Sequence, residues 1–137
     1  MFFEKILKAK VILDTNFLMI PGQFMVNIFA EIERIVTVPY QLCIIDKTID
    51  ELNKLIVLGK KKERDAAKLG LALASAHLKQ KSLKIIASSS MYVDDVIVKE
   101  SNKKVFVATN DKELKRRVRE KGASIITLKQ KKYLILE

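Results

Sequence analysis

Val11, Ile12 and Leu13 form an apolar run with no polar residue between them, and the run stops at Asp14-Thr15-Asn16. A strand with one wet face alternates apolar and polar side chains. An unbroken, partly β-branched run suits a strand buried on both faces, as in a parallel sheet covered by helices. In open sheets of that kind, ligands bind in the crevice beyond the carboxyl ends of the strands. The polar triplet therefore stands where chemistry is done. Asp14 would serve there equally well as a turn cap, a common use of Asp and Asn at strand ends.

The rest of the chain repeats the pattern. After a loop, FLMIPG, in which Pro21 and Gly22 mark a break, apolar residues at Phe24, Ile28, Phe29, Ile32 and Ile35 have helical spacing. Pro39 ends that helix, and QLCIID reads as a second buried strand. KTIDELNKLIVL, from Lys47 to Leu58, reads as a helix. Thr48 at its N-cap and Glu51 at N3 match a capping box, which explains Glu51 without catalysis. A long helix is predicted over Glu63 to Gln80, with a small-residue stripe at Ala66, Leu69, Gly70, Leu73 and Ala76. LKIIA, from Leu83 to Ala87, is a third strand. Ser88-Ser89-Ser90 is a loop, and Asp94-Asp95 opens the helix VIVKESN. Two acids serve only one cap, so Asp94 is assigned to the site and Asp95 to the cap or to a supporting role.

KVFVA, from Lys104 to Ala108, is the fourth strand. It runs into Thr109-Asn110-Asp111 and a basic helix closed by Gly122 as a C′ residue. Asp111 serves equally as N-cap or ligand. Ser124 to Leu128 is the fifth strand. The tail KQKKYLILE mixes lysines with Tyr133, which suits either RNA contact or an edge strand packed through Leu134 and Leu136. Alternating strands and helices predict an α/β fold: three layers, α/β/α, around a mainly parallel twisted sheet of about five strands. Residues 1–137 read as one domain, with no repeats, no low-complexity segment and no Gly-rich phosphate loop.

Composition narrows the function. No apolar run approaches the roughly 20 residues of a membrane span, and the start, MFFEKILKAK, lacks the long apolar region of a secretory leader. Cys43 is the only cysteine and His77 the only histidine. An internal disulfide and a multi-histidine metal site are thereby excluded, and a reducing, cytoplasmic location is expected. Cys43 reads as core and His77 as a partly exposed helix residue. With 26 Lys and Arg against 16 Asp and Glu, the net charge is +10. That balance favours a polyanionic partner, above all nucleic acid, over a plainly solvated lysine-rich surface. Lys112, Arg116 and Arg117 on the basic helix, and Lys131 and Lys132 in the tail, are the candidate RNA contacts.

Asp14, Glu51, Asp94 and Asp111 all fall at strand ends or at the helix starts that follow, and in a parallel sheet those places share one rim. At about 5 Å and an effective dielectric near 20, each carboxylate pair would repel by roughly 3 kcal/mol. A divalent cation would remove that cost. Oxygen-only ligands suit Mg²⁺ or Mn²⁺. The matching chemistry is attack on a phosphodiester by metal-activated water, with no side-chain nucleophile.

On VILDTNFLMIP, DEL at 50–52, VDDVIVK at 93–99 and VATNDKELKRR at 107–117, the chain resembles the PIN-domain nucleases over nearly its whole length. The resemblance implies metal-binding roles for Asp14, Glu51, Asp94 and Asp111. It implies that Asn16, Thr109 and Asn110 position the metal shell, and it gives Asp95 no fixed counterpart. The closing stretch, GASIITLKQKKYL, is more similar to the branch associated with ribosomal RNA processing than to the small toxin ribonucleases. The partners implied are precursor ribosomal RNA with ribosome-assembly proteins or, for a toxin, an antitoxin; a second copy is a further candidate, since such proteins often form homodimers.

Other readings fit less well. A phosphatase of the haloacid dehalogenase type wants a second aspartate where Asn16 stands. A response-regulator receiver is acidic and needs paired acids before its phosphorylated aspartate. An RNA-binding module accounts for the charge but not for four acids on one rim. A catalytically silent PIN scaffold that binds RNA shares every feature except turnover.

Overall fold

The computed structural model describes residues 8–137, so the reading of the chain's start as no secretory leader lies largely outside it. Among the described residues six strands form one sheet: β1 (Ala9–Leu13), β2 (Tyr40–Ile45), β3 (Leu83–Ile86), β4 (Val105–Ala108), β5 (Ser124–Lys129) and β6 (Tyr133–Leu136). Their order is β3-β2-β1-β4-β5-β6. The first five are parallel, and β6 returns antiparallel to β5. The chain leaves β1 for β2 on one side and later places β4 on the other. The carboxyl end of β1 is therefore the switch point at which such sheets open a crevice.

Helices cover both faces. On one lie α1 (Ile20–Phe24), α2 (Ile28–Ile35), α3 (Asp46–Leu58) and α4 (Lys61–Lys79); on the other lie α5 (Val93–Glu100) and α6 (Lys112–Glu120). Val11 and Leu13 point into the first layer with Leu18, Ile28 and Leu52, while Ile12 points into the second with Val96, Ile97 and Leu114. All three β1 side chains are 0% exposed, which is why the run tolerates no polar residue. Among the described residues no helix is long and apolar enough to cross a membrane.

Two local expectations change. Pro21 and Gly22 lie inside α1 instead of breaking the chain, and Thr15–Met19 forms a 3-10 turn before it. Pro tolerates the first helical turn, and a Cβ at Gly22 would crowd the Ala66 backbone, so packing on α4 selects the glycine. The break comes after Phe24: Met25 is left-handed, and Asn27 caps α2 by accepting from Ala30 N. The buried stripe of α4 is Ala66, Ala67, Gly70 and Ala74; Leu69 is substantially exposed. A Cβ at Gly70 would overlap the Leu18 carbonyl oxygen, so α4 lies directly under the turn that follows Asp14.

The tail is the sixth strand. Leu134 is fully buried and Leu136 about half exposed. The outer edge of β6 is occupied by side chains of α2: Leu134 N donates to Glu31 Oε1 at 3.0 Å, and Arg34 Nη2 donates to Leu134 O at 3.0 Å. An edge that would otherwise offer free backbone groups is thereby partly satisfied.

Candidate active site

Asp14 continues β1 by one residue, its N–H donating to Ala108 O at 3.0 Å. The side chain then caps the 3-10 turn, Oδ1 accepting from Thr15 N at 2.8 Å, while Oδ2 accepts from Thr109 Oγ1 at 3.0 Å. Both sequence readings of Asp14 thus hold at the level of position: it is a cap, and it lies at the carboxyl end of the central strand. It is 7% exposed.

Thr109 follows β4, is fully buried, and serves two acids at once. Its hydroxyl donates to Asp14 and accepts from Asp111 N at 3.1 Å. Asp111 in turn caps α6 by accepting from Leu114 N at 2.9 Å. Asn110 lines the groove beside Asp14 and Asp111, and its Oδ1 accepts from Thr127 Oγ1 and Leu128 N, both at 2.9 Å, fastening the loop to β5.

The capping box expected around Thr48 does not form. α3 starts at Asp46, three residues before the start that a Thr48 cap implies, and Asp46 Oδ1 accepts from Lys47 N at 2.7 Å and Ser88 N at 3.2 Å. Thr48 becomes a buried residue of the first turn, bonded to Thr15 Oγ1 at 3.2 Å. Thr15 Oγ1 gives its hydrogen to the Glu51 carboxylate, which therefore faces the β1 terminus instead of its own helix end. Asp94 and Asp95 lie in the first turn of α5, and neither caps it. Asp94 is exposed toward the other acids, whereas Asp95 accepts from Arg117 at 2.9 Å.

Asp14, Glu51, Asp94 and Asp111 line one open cleft of about 540 Å³. Burial pushes the Asp14 carboxyl up to about 6; Asp94 and Glu51 add repulsion, against the hydrogen bonds from Thr109 and Thr15. Asp94 is raised as well, by desolvation first and then by Asp111 and Glu51. Asn16 lies between this cleft and an adjoining groove of about 300 Å³ that runs past Gln23 and Leu128. Two charged lining residues escaped the sequence reading, Lys54 and Glu63. Glu63 looked only like a helix start, and its carboxylate does accept from Lys60 N at 3.3 Å; the turn at Gly59 brings it back toward the cleft.

Of the other described acids, Glu31, Asp65, Asp95, Glu100, Glu113, Glu120 and Glu137 are matched to a base, whereas Glu33, Asp46, Asp50 and Glu63 are not. Among the described residues, the four cleft carboxylates have no such partner. Their donor set is all oxygen and suits Mg²⁺ or Mn²⁺. In this conformation no group of three or more acidic, histidine or cysteine side chains among the described residues stands gathered to hold an ion. The hydrogen bonds to Thr15, Thr109 and Leu114 hold three of the carboxylates at separate positions instead.

The basic candidates divide. Arg116 is held by Glu113 and Glu120, and Arg117 by Asp95. Lys112 is exposed one residue beyond Asp111. Lys131 and Lys132 are exposed in the turn between β5 and β6, with Lys131 Nζ 5.8 Å from the centre of the Phe24 ring.

The family described as "PIN like domain" matches residues 11–131. The chain is 33% identical over 126 residues to Ribonuclease VapC4 of Methanocaldococcus jannaschii, spanning 90% of this chain and 93% of that one. It is also similar to the solved structure of the PIN domain endonuclease Utp24, with a TM-score of 0.73 and 28% identity over 93% of this chain and 90% of that one.

Proposed function

The chain belongs to the PIN-like domain family, and we propose that within it the protein is a Mg²⁺- or Mn²⁺-dependent endoribonuclease. One observation carries the reading. In a chain of net charge +10, four carboxylates delivered by separate elements share one cleft, and among the described residues none is paired with a base. Asp14, Asp94 and Asp111 would hold the cation, with Glu51 contributing. A bound divalent ion would supply Lewis-acid activation of water and neutralise the phosphate under attack. The protein's own part is positioning. Thr109 ties Asp14 to the start of the Asp111 loop, and Thr15 orients Glu51. Lys54 within the cleft and Lys112 beside it would draw the phosphate backbone in.

We infer a cytoplasmic location from the single cysteine and a role in ribosomal RNA processing from the resemblance of the closing stretch, which forms β5, the basic turn and β6. The test is cleavage of end-labelled RNA, single-stranded and hairpin, with Mn²⁺, Mg²⁺ or EDTA, beside Asp14→Asn. Metal-dependent cutting lost in the variant supports the nuclease. Tight RNA binding without cutting in any metal would favour a silent scaffold. Precursor ribosomal RNA set against transfer and messenger RNA then separates a processing enzyme from a toxin-type ribonuclease with an antitoxin.

A further inference from the structure

Tyr92 is 79% exposed, although its neighbours in sequence are fixed. Val93 is buried. The loop before Tyr92 is fastened to α3: Ser88 N donates to Asp46 Oδ1 at 3.2 Å, and Lys47 Nζ donates to Met91 O at 2.8 Å. Met91 N closes the turn onto Ser88 O at 3.0 Å. The backbone at Tyr92 is thus held while its ring projects. The ring stands on a ridge shared by two grooves. One, of about 210 Å³, contains Lys47, Glu51 and Lys54; the other, of about 350 Å³, contains Glu51, Asp94 and Arg117.

We propose that Tyr92 is a stacking platform for a nucleobase of single-stranded RNA, next to the phosphate held over the acid cleft. This rests on the nuclease reading above. The acids repel phosphates, so affinity at their border is better supplied by a neutral π-face than by further charge. Tyrosine provides that face with little rotamer entropy to lose. Lys54, which lines the first groove, takes a flanking phosphate.

The chain contains no tryptophan, so Tyr92→Trp introduces a single indole reporter. In EDTA, single-stranded RNA is expected to quench that indole, and one abasic substitution along the oligonucleotide is expected to abolish the quench. In steady-state cleavage with Mn²⁺, Tyr92→Ala should raise KM about tenfold or more, with kcat within a few-fold of wild type and Tyr92→Phe restoring KM. The Ala variant should melt close to wild type, as an exposed residue does. RNA that binds by anisotropy yet leaves the indole unmoved overturns the stacking site, as does an unchanged KM in Tyr92→Ala. Failure of the wild type to cut RNA overturns the nuclease reading separately, because the quench is read without metal.

Discussion

Asp14→Asn is expected to stabilise the metal-free protein at neutral pH and to have no such benefit in acid. The carboxyl titrates near 4 in an unfolded chain and is pushed up to about 6 in the fold, by burial first and by Asp94 and Glu51 besides. Between those values the folded state holds the proton that the unfolded state has lost, so stability falls as pH rises through the window. The penalty is absent below about pH 4 and complete above about pH 6. At 1.36 kcal/mol for each pH unit of separation, it amounts to about 3 kcal/mol. For a chain of this length that is roughly 10 °C in melting temperature. Asn keeps an acceptor for Thr15 N and turns a donor toward Thr109. Whatever that exchange costs does not vary with pH and cancels between two pH values. The assay is urea unfolding in EDTA at pH 4 and pH 7.5 for both proteins. The stability difference should move by about 3 kcal/mol in favour of the variant on going to pH 7.5. A difference that stays constant with pH would show that the Asp14 carboxyl is not pushed up by its surroundings, and the electrostatic account of the cleft would fail with it.

Adding Mn²⁺ should reverse that order: the wild-type melting temperature rises with metal concentration, whereas an Asp14→Asn, Asp111→Asn double variant does not respond; an equal response in both would remove these residues from the metal site. Gly70→Ala should cost about 1–3 kcal/mol by overpacking against Leu18, and since that turn carries Asp14 it should also weaken Mn²⁺ binding, read by the same melting titration. Neutralising Lys112, Lys131 and Lys132 should weaken RNA binding and flatten its salt dependence by about one unit of slope per lost phosphate contact. Arg116→Gln, whose guanidinium is already engaged by Glu113 and Glu120, should change RNA affinity little; a large loss there would restore Arg116 to the RNA surface.

What the sequence disclosed follows from how local each signal is. The Val11–Leu13 run reports burial on both faces wherever it lies in space, so the central strand and its carboxyl end are legible in three residues. Asp94 and Asp111 sit at element boundaries that periodicity alone can find. Glu51 was legible as a position but not as a direction. The capping-box pattern pointed it at its own helix, and only the contact with Thr15, from a segment 36 residues away, turns it into the cleft. The same limit applies to Pro21-Gly22, a break by local rules and a helix because Gly22 packs on α4. It applies also to Arg116 and Arg117, which look like a free basic face until their acidic partners are placed beside them. Glu63 left no signal beyond that of a helix start, since its place in the cleft depends on how α3 and α4 fold back on each other.

The arrangement of charge separates a structural from a chemical use of the acids. A cap needs one oxygen on a backbone N–H, and Asp14 and Asp111 each satisfy that with Oδ1. Helix and turn stability would be served as well by Asn or Ser at both places. A chain with 26 basic residues could also have paired one of them with a cleft acid to relieve the repulsion, as it pairs Arg117 with Asp95 a short distance away; Lys54 lines the cleft but among the described residues forms no ion pair there. Instead Thr109 donates to the Asp14 carboxylate and receives from the backbone of Asp111, tying the two residues to one cleft without neutralising either. Capping explains each residue singly but leaves their shared, unpaired state as a cost. A site that takes up a cation in use gives that cost a purpose, and the contrast between EDTA and Mn²⁺ in the stability of Asp14→Asn measures it directly.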